Sequence, residues 1–233
     1  MKLNRISAAT IALFGMLCAA CGTGTNSGNT ASTGSGSKAA AGDEGKAGTE
    51  NTYKDLIGTN AGEYEGVLDK LLKKAGATDA EIMEISSNYR PARGVISTSN
   101  TYTVQLVNPS DKNKIVEYRL DGEKGTITGP SAITLSQGVG SNEKFVDTYD
   151  GFKDHLFKKS DLDFSKVPVI WKDALDRSAK EYNTECYVNN VDVEMKEIGN
   201  KMRPYYYVRI QSTRSITASK SYYYDGQGNY VDY

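Results

Sequence analysis

One spacing constrains this 233-residue chain more than any other feature. YTVQL at 102–106 lies over YYVRI at 206–210, and YRLDGEKG at 118–125 lies over YYYDGQGN at 222–229, both 104 residues apart. The same shift sets Val67, Leu71 and Ala75 over Trp171, Leu175 and Ala179, three positions at helical spacing. Upstream, YKDLI at 53–57 resembles FKDHL at 152–156 at an offset of 99, which implies a short insertion between the units. Agreement at a single offset marks an internal repeat, and a repeat must be recognised before its elements are assigned.

Each unit reads as a helix followed by strands. The helices fall at 62–76 and 168–182, with Gly76 a natural stop for the first and Pro168 a natural start for the second. Strands follow at 81–90, 101–108, 114–121 and 126–135 in the first unit, and at 186–196, 204–213 and 219–225 in the second. Asn108-Pro109-Ser110-Asp111 and Asp225-Gly226 supply the turn chemistry. The expected fold is therefore α+β: two tandem α-β-β-β units, residues 53–140 and 141–233, each an antiparallel sheet with its own helix on one face.

Strand alternation separates the two faces. Tyr206, Val208 and Ile210 match Tyr102, Val104 and Leu106 and are expected to point inward, as are Tyr222 and Tyr224, which match Tyr118 and Leu120. The opposite face then carries Tyr205, Tyr207, Arg209 and Tyr223, with Asp192, Glu194 and Lys196 on the preceding strand. The matching face of the first unit holds only Thr101, Thr103 and Gln105. Tyr and Arg are enriched where proteins bind proteins, and Tyr205, Tyr207, Arg209 and Tyr223 form the candidate partner-binding set. Tyrosine rings also stack on sugars, and Arg209 over a ring would add a cation–π contact. Tyrosine equally suits a strand on packing grounds alone, and two open faces can pack on each other.

The N-terminus concerns location. Lys2 and Arg5 precede an apolar run of eleven residues, AATIALFGMLC at 8–18, too short to span a bilayer, which takes about 20. Ala19 and Ala20 then precede Cys21. This arrangement resembles the lipobox of bacterial lipoproteins, with Cys18 where the motif usually has leucine. The resemblance implies a signal peptide at 1–20, cleavage before Cys21, and lipidation of Cys21, which anchors the chain to the extracytoplasmic face of the cell membrane. Residues 21–52 are mostly Gly, Ser, Thr, Asn and Ala with few charges, a composition that makes a flexible tether. Loss of the leader would leave Cys186 without an intramolecular partner.

Composition and motifs narrow the chemistry. Without Lys2 and Arg5 the chain has 26 basic against 29 acidic side chains, so nothing favours a nucleic-acid partner. No phosphate loop, HExxH or GxSxG motif is present. A single histidine, His155, argues against a histidine-based metal site, and neither Asp161-Leu-Asp163 nor the 225–229 turn has the ligand count of a calcium loop. No cofactor is expected. The repeated α-β-β-β order, with DGEKGTIT at 121–128 and DGQGNYVDY at 225–233 ending the units, resembles the PepSY-type domains of the bacterial envelope and the tandem β-lactamase inhibitory proteins. That resemblance implies a non-catalytic binding protein that modulates a peptidase or another envelope or secreted protein. Binding of cell-wall glycan or peptide through the aromatic face is the alternative, and an Asp/Glu-based hydrolase stands third.

Overall fold

A computed structural model of the chain describes residues 3–7, 61–90, 99–137, 143–214 and 218–232. Cys21 and the tether at 21–52 lie outside the described residues, as does most of the expected signal peptide. The elements run β1 (Leu3–Ser7), α1 (Ala61–Ala75), β2 (Ile82–Arg90), β3 (Ser99–Asn108), β4 (Asp111–Asp121), β5 (Thr126–Gln137), β6 (Lys144–Val146), α2 (Tyr149–Phe152), α3 (Val167–Tyr182), β7 (Cys186–Ile198), β8 (Lys201–Ser212), β9 (Ser219–Asp225) and β10 (Tyr230–Val231). Three short 3-10 turns lie between α2 and α3, at Lys153–His155, Lys159–Asp161 and Phe164–Lys166.

The local chemistry explains the boundaries. α1 ends in a Schellman motif: the Ala77 N–H donates to Leu72 O at 3.0 Å and the Gly76 N–H to Lys73 O at 3.1 Å, with Gly76 at a φ of +68°. α3 opens with Pro168 in its first turn and closes on Asn183, which adopts the left-handed conformation. β4 and β5 meet with a register shift between Glu117 and Arg119. Gly129 sits opposite that bulge at a φ of +119°, where an added Cβ would lie 2.6 Å from the Glu117 carbonyl oxygen.

The expectation of two separate sheets is overturned. Nine strands form one continuous antiparallel sheet in the order β1-β5-β4-β3-β2-β7-β8-β9-β10, with β6 paired to β5 off that path. The join is β2 against β7, through Glu84↔Glu194, Ile85↔Val193, Ser86↔Asp192, Ser87↔Val191 and Asn88↔Asn190. The physical reason is edge satisfaction. In a separate unit β2 and β7 would each be an edge strand with unpaired backbone groups. Paired, they bury Ile85, Val191 and Val193 to 2 % exposure or less.

The helices α1 and α3 lie on the same face of this sheet and share one core. It runs from Tyr64, Leu68 and Leu71 of α1 through Tyr102, Val104, Tyr206 and Val208 to Ile170 and Trp171 of α3. The residues expected to point inward do so: Tyr102, Val104, Leu106, Tyr206, Val208 and Ile210 are fully buried. Tyr64 packs edge-on to Tyr102 with ring centroids 4.9 Å apart and also meets Phe164 at 5.9 Å, tying α1 to the turn before α3.

The 104-residue spacing persists in strand register, where Val104↔Tyr118 and Val208↔Tyr222 are equivalent pairs. In the helices it slips by one. Val67, Leu68 and Leu71 correspond by burial to Ile170, Trp171 and Ala174, 103 residues on, while Ala179 is exposed. One residue rotates a helical face by about 100°, so packing, rather than letter-matching, decides this alignment. On the other face, residues 144–157 fold back over the β4–β5 end, where Phe152 completes a second small cluster with Met83, Ile115, Ile133 and Leu135.

One sheet and one principal core predict a single unfolding event. Calorimetry is expected to show one transition with equal calorimetric and van't Hoff enthalpies; two separable transitions would contradict the shared core. Gly129→Ala is expected to cost about 1–3 kcal/mol, read as a lowered chemical-denaturation midpoint, because it combines an unfavourable φ with backbone overlap.

Candidate functional site

The face opposite α1 and α3 is ordered by cross-strand register. One row of side chains reads Thr128, Arg119, Thr103, Ser86, Asp192, Tyr207, Tyr223 and Val231, each directly opposite the next. Eight strands at about 4.8 Å make this row about 34 Å long. The neighbouring row reads Glu117, Gln105, Glu84, Glu194, Tyr205 and Asp225 and is strongly acidic. Arg209 lies in the row on the other side, between Asn190 and Ser221.

The candidate residues divide by their surroundings. Tyr207 and Tyr223 are neighbours, with ring centroids 5.2 Å apart and planes inclined at 53°. The Tyr207 hydroxyl shares a 2.7 Å hydrogen bond with Ser221 Oγ. Arg209 is exposed, and its Nη2 donates to Ser219 Oγ at 3.1 Å. The cation on an aromatic ring is instead Lys196, whose Nζ lies 3.8 Å from the centroid of Tyr223. Tyr205, although its register places it on this face, is buried at 4 % exposure and so cannot offer its ring to a partner without rearrangement. The accessible part of the cluster is thus Arg209, which is exposed, with the half-buried Lys196, Tyr207 and Tyr223. Lys196 is legible in the sequence as a residue of this face, but its place on Tyr223 depends on the relative stagger of three strands.

Asp192 is the group that sequence reasoning undervalues. It sits at the β2–β7 join with Ser86 opposite it on one side and Tyr207 on the other. Its Oδ1 is buried without a hydrogen-bond partner. Burial, reinforced by the nearby Glu84 and Glu194 carboxylates, raises its pKa from 3.8 to about 7, against the opposing hydrogen bonds of Ser86 and Asn190.

The remaining candidates are structural. The Cys186 thiol, the free cysteine among the described residues, is pushed up in pKa by burial and by Glu185, which makes it a poor nucleophile. His155 ends a 3-10 turn. Asp225 closes its own turn by accepting from the Gln227 and Asn229 N–H groups at 3.0 and 2.9 Å, and Asp163 caps a 3-10 turn through Ser165 N–H at 3.1 Å. No group of three or more His, Cys, Asp or Glu side chains among the described residues is placed to hold a metal ion. An open groove of about 540 Å³ lies on the helix side between α1 and the 159–166 turns, but its Lys159 is already held by Glu65 and Asp69 at 2.8 and 2.6 Å. No described helix is long and apolar enough to cross a membrane.

No family model, curated protein or solved structure matches this chain.

The Asp192 environment makes stability depend on pH with a definite sign. A carboxyl whose folded pKa is raised favours folding when protonated, so its contribution is complete below about pH 4 and lost as pH rises through about 7. Asp192→Asn is expected to remove that dependence. The variant should match wild type near pH 4 and exceed it at pH 8, by at most about 4 kcal/mol, since the side chain keeps some contact with water. Denaturant midpoints at the two pH values read the effect directly; equal gaps at both would contradict it.

Proposed function

We propose that this chain is an exported bacterial lipoprotein, anchored through Cys21, whose sheet face opposite α1 and α3 binds another envelope or secreted protein without catalysing a reaction. The observation that carries the reading is the Lys196–Tyr223–Tyr207–Arg209 cluster on a face that neither α1 nor α3 covers. Partly exposed tyrosines flanked by cations are the composition of a protein–protein hot spot. The row beside it is acidic, so the face presents both signs of charge and can select an orientation as well as an affinity.

The same geometry disfavours stacking on a sugar. A glycan platform needs an open ring face, and Tyr223 is already covered by Lys196 while Tyr207 is tilted against it. The apolar run at 8–18 and the small residues before Cys21, through their resemblance to a lipobox, support the anchoring. The tether at 21–52 would hold the folded sheet away from the membrane, where a partner can reach its open face.

The test is cross-linked capture by the full chain in its own membranes, comparing wild type with Tyr207→Ala and Arg209→Ala. One protein captured by wild type is expected to be lost from both variants, with binding to that purified partner weakened at least about 30-fold, as for a hot-spot truncation. Circular dichroism spectra should be unchanged. Equal capture by all three proteins would refute the proposed face.

A further inference from the structure

The two ends of the sheet are protected very differently. At one end β9 is capped by β10, only two residues long and followed by Asp232, and Lys220 lies on β9 itself. Short strands and charges are how a sheet edge is kept from pairing with another chain. At the other end β5 is twelve residues long, TITGPSAITLSQ, and contains no charged residue. The uncharged run continues to Asn142.

What covers this edge is β1. Leu3–Ser7 pairs antiparallel with the outer side of β5, from Ser7↔Ile133 to Leu3↔Gln137. Residues 3–7 belong to the leader that cleavage before Cys21 would remove. The strand that closes the sheet is then absent from the mature protein, and Ile133–Gln137 becomes an open edge already shaped for an antiparallel strand. Among the described residues no strand pairs the outer side of Thr126–Ala132.

We propose that the mature protein pairs with a second copy of itself through this edge, β5 against β5. The segment is self-complementary in the frame that β1 occupies. An antiparallel pairing centred on Leu135 sets Leu135 opposite its copy, Thr134 opposite Ser136 and Ile133 opposite Gln137. No like charges meet in these pairs. The pairing is isologous and closes after two copies. Its two-fold axis stands perpendicular to the sheet, so α1 and α3 of both copies lie on one side and the two opposite faces on the other. Thr134 is exposed within the stretch that β1 pairs, so a larger side chain there can be accommodated on the sheet face. Phe145 on β6, opposite Ser136, is the most exposed large apolar side chain near this edge, at 71 %. Anchoring in one membrane raises the effective concentration of the two copies for each other.

The inference rests on the export reading, since only loss of residues 1–20 vacates the edge, and the experiment separates the two. Protein is extracted in detergent from native membranes as wild type and as Thr134→Lys, which guards the edge with a charge at an exposed position. Mass spectrometry identifies the N-terminus, sedimentation gives the mass of the particle, and circular dichroism confirms the fold. The expected result is an acylated Cys21 N-terminus, a dimer for wild type, and at least a 10-fold weaker dimer for Thr134→Lys with an unchanged spectrum. A processed but monomeric wild type overturns the pairing and leaves the export reading standing. A retained leader overturns both. A dimer equally strong in Thr134→Lys places the contact elsewhere and overturns the edge. Protection of amides 133–137 from hydrogen exchange in a monomer that carries a different protein overturns self-pairing in favour of that protein.

Discussion

The five-pair ladder between β2 and β7 is the constraint on which the rest of the structure depends. Within it the buried Ser87 Oγ donates to the Val191 carbonyl at 2.9 Å, and these two residues are 104 apart. The repeat spacing and the pairing therefore coincide at one position. Ser86↔Asp192 and Asn88↔Asn190 are related across it, as a local two-fold axis requires. A repeated half-sheet that pairs with its own copy in this way removes two edges at once. The same step brings α1 and α3 onto one face, which lets Tyr64, Phe164 and Tyr206 belong to a single core.

That join also creates the chemical asymmetry of the open face. Pairing β2 with β7 sets Glu84 directly against Glu194 and brings Asp192 in beside them. Like charges opposite one another are unfavourable in a sheet. Burial first, and then these two glutamates, raise the pKa of Asp192 to about 7, so its proton is held up to near neutrality. Next to this acidic strip Lys196 is drawn over Tyr223. The Tyr207–Tyr223 cluster proposed to bind a partner and the raised pKa of Asp192 are consequences of one backbone register, so a partner seated on Tyr207 would lie against Asp192 as well.

Much of this architecture is legible in the amino-acid sequence. The inward set Tyr102, Val104, Leu106, Tyr206, Val208 and Ile210 follows from alternation, since side chains of period two that are apolar at every second place can be satisfied only by facing a core. The helix and strand positions follow from periodicity and from Gly76, Pro168 and the Asn108–Asp111 turn. Three things are not legible there. Tyr205 shares a face with Tyr207 by alternation but is buried. Arg209 is the expected partner of a ring, while Lys196 on the neighbouring strand takes that place. The helical correspondence reads one residue out, because letter identity at Ala75 and Ala179 carries no record of the rotation it implies.

The sequence by itself determined the periods, the turns and the side of each strand that meets a core, because each is set by neighbours within a few residues. Only the tertiary structure decided that the halves share one sheet, that Lys196 covers Tyr223, that Asp192 lies half-buried beside Glu84 and Glu194, and that the uncharged β5 lies one strand from the sheet's end. These depend on which strand lies beside which, and at what stagger. Backbone hydrogen bonds do not distinguish one sequence from another, so that choice is made by the whole core: by the burial of Ile85, Val191 and Val193 at a seam no local pattern records.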